Sequence, residues 1–453
     1  MLHMLKWAAG MLGGGLLCSG AAALPVQPPV TVIRNVQVIA MDGAPIHSSS
    51  SIVVEGPKVR SILSEGDPIP AGARIIDGHG EFVIPGLIDA HVHYPYYGVV
   101  KPADYLRYGV TTVFSLGTPT AELPELLRAR AAIAQGREIG PHIYATGPAI
   151  ANHIKIDKVA DVEPFLSSLR FQGLEFVKVY NEIPQDVFDA VIAGAHQRGM
   201  GVFGHIPRRF PPEFTITHGL DVIAHMEELY FTVFHAPRDR DLAGMMPDWS
   251  PDYSKIDPIL DLIAAHHVAI IPNLVAPMDF QDLWTDEERE YALPDAKYIN
   301  PKLLQMWKGG SSVHRDQIEK RMMREQIKYP LIRTLTYRAW KKGILLLAGT
   351  DAPLPAIYPG RSLHQELRLL VAAGLPPEDA LRTATANGGI VAKLYVDHNA
   401  CIGVIAPGCE ADLVLLKANP LEDIRNTAMI AGVMSDGRWY TPAELDRASR
   451  WTH

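Results

Sequence analysis

Short apolar and β-branched runs at residues 31–40, 51–55 and 74–77 are separated by the turn residues Gly56-Pro57 and Gly72, the spacing of a small β domain. A second group of such runs, at 403–405, 411–416 and 430–434, stands near the other end, with Gly437-Arg438-Trp439-Tyr440 as one more strand. The two ends are expected to form one composite β-sandwich. Between them the pattern changes: apolar runs at 82–88, 111–116, 142–146, 176–180, 201–205, 222–225, 268–272 and 344–350 alternate with helical periodicity, as at 123–135, 185–198 and 337–342. Eight strand-helix units predict an α/β chain with a (β/α)8 barrel of TIM type, against the alternative of a doubly wound open sheet. The expected segments are a leader at 1–23, a first sandwich part at 24–84, the barrel at 85–398 and a second sandwich part at 399–453. The connection after the seventh run, about 275–328, holds Trp284, Trp307 and Gly309-Gly310 and is too long for a simple unit. It reads as an insertion covering the substrate.

Composition narrows the functional classes. With 453 residues, 47% hydrophobic, 20% charged and a formal charge of −8, the chain is globular and lacks the basic surface that nucleic acid or anionic lipid requires. A small-molecule or peptide-like substrate fits better, and self-association into a homo-oligomer is left open. Lys6, the apolar run to Leu17 and Ala21-Ala22-Ala23 read as a signal peptide cleaved after Ala23, which implies export to the periplasm or beyond. The run falls short of the roughly 20 apolar residues of a bilayer span, so no stable membrane span is expected after cleavage. Leu17 before Cys18 is unlike a lipoprotein signal. An oxidising compartment would permit a Cys401–Cys409 disulfide. A hairpin turning at Pro407-Gly408 would, however, set Cys409 opposite Ile405, and two free thiols are therefore expected.

His91 and His93 are two apart on a run expected to be a strand, so both imidazoles face one side, as a shared metal requires. Catalytic groups of barrel enzymes sit at the carboxyl ends of strands, and that position selects Lys178, His205, His225 and Asp351 as well. An ordinary ammonium within Phe176-Val177-Lys178-Val179 would be costly to bury, a cost that modification or metal binding removes. His142, His266 and His267 begin strands and are assigned structural roles at the opposite face. Tyr96, within Tyr94-Pro95-Tyr96-Tyr97, is a candidate substrate contact, as are His153, Tyr180 and Asn181. Arg208 could hold a substrate carboxylate in a bidentate pair, although a solvated loop at Arg208-Arg209 is the plainer reading. His364 and Glu366 are read as capping or packing groups.

Four stretches carry a family resemblance: Pro85-Gly86-Leu87-Ile88-Asp89-Ala90-His91-Val92-His93, Tyr108-Gly109-Val110-Thr111-Thr112, Gly349-Thr350-Asp351 and Gly408-Cys409-Glu410-Ala411-Asp412-Leu413-Val414. Over nearly the whole mature chain the sequence resembles the amidohydrolase superfamily, near its imidazolonepropionase-like and prolidase-like members. The resemblance implies that His91, His93 and Asp351 hold one divalent ion, that His205 and His225 hold a second, and that Lys178, as a carbon dioxide-derived carbamate, bridges them. Zinc is the default, while manganese, iron or cobalt suit the same donors. It implies a metal-bound hydroxide attacking the carbonyl of a C–N bond, amide or peptide-like, with Asp351 as the catalytic group that takes the proton and returns it to the leaving amine. Esters, lactones and phosphotriesters are alternative substrates of the same centre, and a non-catalytic scaffold is the alternative outside enzymology. Lys178 runs into Val179-Tyr180-Asn181-Glu182 where prolidase-like members continue with glycines, which weighs against a dipeptidase. Gly204-His205-Ile206-Pro207 resembles a set of exported amidohydrolases whose substrates the resemblance does not specify.

Overall fold

The computed structural model describes residues 30–235, 250–278, 294–310 and 315–451. The expected leader at 1–23 and Trp284 lie outside the described residues. Strands β1 (Val30–Val38), β2 (His47–Glu55), β3 (Lys58–Leu63), β4 (Arg74–Asp77) and β5 (Phe82–Pro85) come first. Seven strands follow: β6 (Leu87–Val92), β7 (Val110–Ser115), β8 (His142–Ala145), β9 (Phe176–Val179), β10 (Gly201–Gly204), β11 (Val222–Ala224) and β12 (Ala269–Ile271). The chain returns to strands at β13 (Leu413–Leu416), β14 (Ile430–Ser435) and β15 (Arg438–Tyr440).

The first and last groups are joined, as their patterning predicts, but into one eight-stranded mixed sheet rather than two separate sheets. β5 is the seam: it runs parallel to β1 and antiparallel to β13, with Val83 opposite Leu415. Ile33, Val38, Ile52, Val54, Val83, Leu413 and Met434 form its core, supplied by alternate positions of several strands.

The single apolar run expected at 82–88 is two strands in two sheets. A Cβ at Gly86 would lie 2.0 Å from Thr111 Oγ1, so the chain crosses from one sheet to the other where only glycine fits. Beyond the crossing, β6-β7-β8 and β9-β10-β11-β12 form two parallel sheets. Backbone bonds reach across the gap on one side, from Glu175 N to Ala145 O (3.2 Å) and from Ile150 N to Lys178 O (2.9 Å). On the other side the expected eighth strand is no regular strand. It is an extended segment bonded both ways, with Leu347 N donating to Ile270 O (2.9 Å) and Ala90 N to Ala348 O (2.9 Å). Among the described residues the strands therefore do not close into one continuous eight-stranded sheet. Phe114, Phe176 and Phe203 pack with Ile88, Ala90, Ile271 and Leu347 in a core of their own. Helices such as Val162–Phe171 and Gln185–Gln197 bury Leu166, Leu169, Val187 and Val191 against the strands' other face.

Two further expectations change. The helix expected at 337–342 is the end of a helix spanning Arg315–Lys341, and the described parts of the 275–328 insertion include the helix Pro301–Gly310. Its Trp307 is buried and donates its indole N–H to Pro353 O (2.9 Å), while Lys328 pairs with Glu227 (2.8 Å), so the insertion abuts the loops after Asp351 and His225. The two cysteines are also not free thiols. Residues 402–405 do not form a hairpin arm; the loop turns so that Glu410 N bonds Cys401 O (2.9 Å), and Cys401 and Cys409 form a disulfide.

Candidate metal centre

Period-two alternation carries Ile88 and Ala90 into the phenylalanine core and Leu87 out of it. Between the pairs Asp89–Val113 and Val92–Ser115 the register slips by one residue, and Val92 packs with Leu87's cluster. This bulge re-aims the strand so that His91 and His93 lie on the core side, at the strand's end. His225 (φ 77°) and Asp351 (φ 66°) adopt left-handed backbone, a strained arrangement that turns both side chains toward the same point.

There the donors converge. His93 Nε2 is 2.8 Å and His91 Nε2 3.4 Å from Asp351 Oδ1, and His225 Nδ1 is 3.9 Å from Asp351 Oδ2. Ligand atoms of His91, His225 and Asp351 all lie within 4.8 Å of one another. The rings of His205 and His225 are 5.0 Å apart, and Lys178 lines the same cavity of about 290 Å³. All six strand-end candidates thus line one space.

The donor chemistry fits a bound cation. Both ring nitrogens of His91 and the Lys178 Nζ are buried without a hydrogen-bond partner, a cost that coordination would remove. Burial drives the imidazoles of His91, His205 and His225 down, leaving them neutral with a lone pair to offer. Burial presses the Asp351 carboxyl upward, but the surrounding imidazoles hold it well below the usual range. Burial also brings the Lys178 amine down to about 8.

Several contacts take roles other than those expected. Asn181 Oδ1 lies 3.1 Å from His205 Nδ1, so Asn181 orients an imidazole. Arg208 is not available to a substrate carboxylate: it is clamped in a bidentate pair on buried Glu228, one bond at 2.8 Å, and also donates to Ile206 O. Tyr180 lines the cavity and lies against the His205 ring, centroids 4.0 Å apart. His153 lines it too, and the Ala149 N–H directed at its Nδ1 (3.3 Å) makes Nε2 its donor. Tyr96 lines an adjoining chamber instead.

Two acids escaped the sequence reading. Glu228 Oε1 faces His205 Nδ1 at 3.2 Å, and Glu228 accepts the Ile206 N–H at 3.0 Å. Its signal was its place in Glu227-Glu228, one turn after His225. Asp89 accepts from His91 N (3.2 Å), Thr350 N (3.0 Å) and Thr350 Oγ1 (2.7 Å), tying the His91 strand to the Asp351 loop. Burial pushes its carboxyl up to about 7, and an acid inside the apolar run 82–92 was the signal for it. The remaining candidates hold structural positions: His142 faces Asp412 at 3.2 Å, and His266 and His267 are exposed beyond a helix end. His364 bridges Thr427 and Tyr108 O, and Glu366 accepts the Val275 N–H.

The amidohydrolase family pattern matches residues 335–440, from the end of the long helix through the Asp351 loop to β15. A dihydroorotase from Lactobacillus gasseri is 31% identical over 153 residues, covering 32% of this chain and 33% of that enzyme. The match thus spans about a third of that relative's length. An enamidase from Eubacterium barkeri is 25% identical over 425 residues, covering 90% of this chain and 91% of its own. The solved structure of a putative prolidase from Bifidobacterium longum superposes with a TM-score of 0.67 at 23% identity, covering 93% of this chain and 98% of that one. That likeness is one of fold, TIM-barrel-like α/β.

Proposed function

We propose that the chain, which carries the amidohydrolase family pattern over residues 335–440 and is similar to an enamidase over most of its length, is a metal-dependent hydrolase of a carbon–nitrogen bond in an amide-type substrate. His91, His93, Lys178, His205, His225 and Asp351 would hold a pair of divalent ions, zinc by default. The observation that carries this reading is the convergence of the His91, His225 and Asp351 donors within 4.8 Å, beside buried nitrogens that have no other partner. Bound there, divalent ions supply Lewis-acid polarisation of a carbonyl and a lowered pKa for water. Asp351 stays ionised among its imidazoles, positioned to accept a proton and return it to the departing nitrogen, since an amide nitrogen leaves readily only when protonated. Asn181 and Glu228 hold His205 by Nδ1 and leave its Nε2 for coordination. His153 would donate its Nε2 proton to a substrate oxygen. Lys178, the amine with no partner, would form an N–C bond to carbon dioxide, release a proton and become an anionic two-oxygen ligand.

We read the two parallel sheets and the extended 345–350 segment as one eight-unit barrel, with 24–84 and 399–453 as its companion domain. Export through a leader at 1–23 is part of the same proposal. No helix among the described residues is long and apolar enough to cross a membrane. Metal analysis and a screen of amides, including N-acyl amines and cyclic amides, test the function. Bound metal and amide turnover that rises with added bicarbonate are expected. A protein that binds no metal and cleaves nothing after reconstitution overturns the reading; turnover of esters or lactones alone moves it to those substrates.

A further inference from the structure

A second chamber of about 160 Å³ adjoins the metal cavity and shares His93, Gly117, His153 and Leu354 with it. Its own walls are Tyr94, Tyr96, Tyr97, Thr118, Pro119 and Glu122. Several bonds hold those walls in place. Ser115 and Thr118 hydroxyls both reach Tyr94 O (3.1 and 3.0 Å), and the Tyr94 N–H returns to Ser115 Oγ (3.1 Å). Tyr96 (φ 51°) and Tyr97 (φ 56°) are consecutive side-chain-bearing residues in left-handed backbone, which persists only where the surroundings overdetermine it. Their rings meet edge to face at 5.3 Å and 72°, making an aromatic corner.

Glu122 completes the chamber. It occupies the N-cap of the helix Leu123–Ala134, yet its side chain makes no cap bond; it accepts the Tyr97 N–H at 2.8 Å instead. Among the described residues no lysine, arginine or histidine forms an ion pair with it. A carboxylate thus lines the same chamber as two tyrosine rings, next to the His93 side of the candidate metal cavity, whereas Arg208 is already paired with Glu228. A carboxylate and aromatic faces together attract a cation with an apolar body and disfavour an anion.

Resting on the hydrolase reading above, we propose that this chamber recognises a cationic group, an alkylammonium or quaternary ammonium, on the substrate, and that Glu122 and Tyr96 set that specificity. The class of substrate is then an amide carrying a basic or quaternary end, distinct from carboxylate-terminated peptides.

The test is binding of choline and of its uncharged isostere 3,3-dimethylbutan-1-ol to the metal-loaded full chain, measured by calorimetry. It is paired with turnover of amides that share one scissile bond and differ only in carrying an ammonium or a neutral terminus. Choline is expected to bind about tenfold more tightly than the alcohol, and Glu122→Gln, which retains an acceptor for Tyr97 N, to bring the ratio near one. Tyr96→Leu, which keeps the carboxylate, should lower the ratio as well. Equal binding of the two probes, or an unchanged ratio in Glu122→Gln, overturns the proposal. If choline binding depends on Glu122 while no amide is cleaved, the hydrolase reading fails and the chamber stands. If amides are cleaved regardless of terminal charge, the hydrolase stands and the chamber's role falls.

Discussion

Replacing Glu228 by glutamine separates two jobs that one buried carboxylate performs. Glu228 is 2% exposed, accepts from Ile206 N and Arg208, and faces His205 Nδ1 at 3.2 Å. Glutamine preserves the shape and one acceptor but removes the charge, leaving the largely buried Arg208 guanidinium without its counter-ion. Breaking a buried pair from one side costs roughly 3–5 kcal/mol, and at about 2 °C per kcal/mol for a large chain the midpoint of metal-free unfolding should fall by about 6–10 °C. His205 keeps Asn181 at its Nδ1 but simultaneously loses the charged partner there, and metal affinity should drop about 10-fold. The double variant Glu228→Gln, Arg208→Met distinguishes the two effects. Removing both charges should restore most of the stability, because an apolar replacement of a buried pair is often neutral, but not the affinity. Thermal melts of the metal-free protein and competition titration with a metal chelator supply the two readouts. A single variant that melts and binds metal as the parent does, or a double variant that regains affinity, refutes the reasoning.

Asp351→Asn should still fold yet lose turnover by about 10²-fold or more, since the amide cannot accept the proton; near-parental rates with metal bound would reject the assigned role. The His142–Asp412 pair should make stability depend on pH. Burial alone would lower the imidazole, but the Asp412 carboxylate more than offsets it and lifts His142 to about 9 from its ordinary 6.5. Its contribution is therefore complete below pH 6.5 and lost as pH rises through about 9, and melting points taken from pH 6 to 10 should show a decline that Asp412→Asn flattens. The Phe203 ring packs with those of Phe176 and Phe114, centroids 4.7 and 6.3 Å apart, so Phe203→Ala should cost about 3–5 kcal/mol in denaturant melts, and a loss below about 1 kcal/mol would contradict the packing described.

The site was legible where chemistry is local and illegible where it depends on contact. His91, His93, Lys178, His205, His225 and Asp351 each end an apolar run, so alternation and strand-end position sufficed to gather them. Neither the substrate clamp nor the plainer solvated loop anticipated the pairing of Arg208 with buried Glu228, because that partner lies 20 residues on, beyond the next strand. Asn181 was placed near substrate when it braces His205, for the same reason. The cysteines failed similarly: the chain between Cys401 and Cys409 loops instead of forming the expected hairpin, which no residue pattern announced.

The sequence by itself determined the alternation of strand and helix, the joining of the early and late strands in one sheet and the six strand-end groups that line the cavity, because burial periodicity and residue chemistry act over a few neighbouring positions. Only the tertiary structure decided that the run at 82–88 breaks at Gly86, that a bulge after Ala90 turns His91 into the cavity, and that His225 and Asp351 take left-handed backbone to meet it. Those outcomes arise from steric fit between segments far apart in the chain: the side chain of Thr111 excludes any Cβ at 86, and the hydrogen bonds that Asp89 accepts from Thr350 bind β6 to the Asp351 loop.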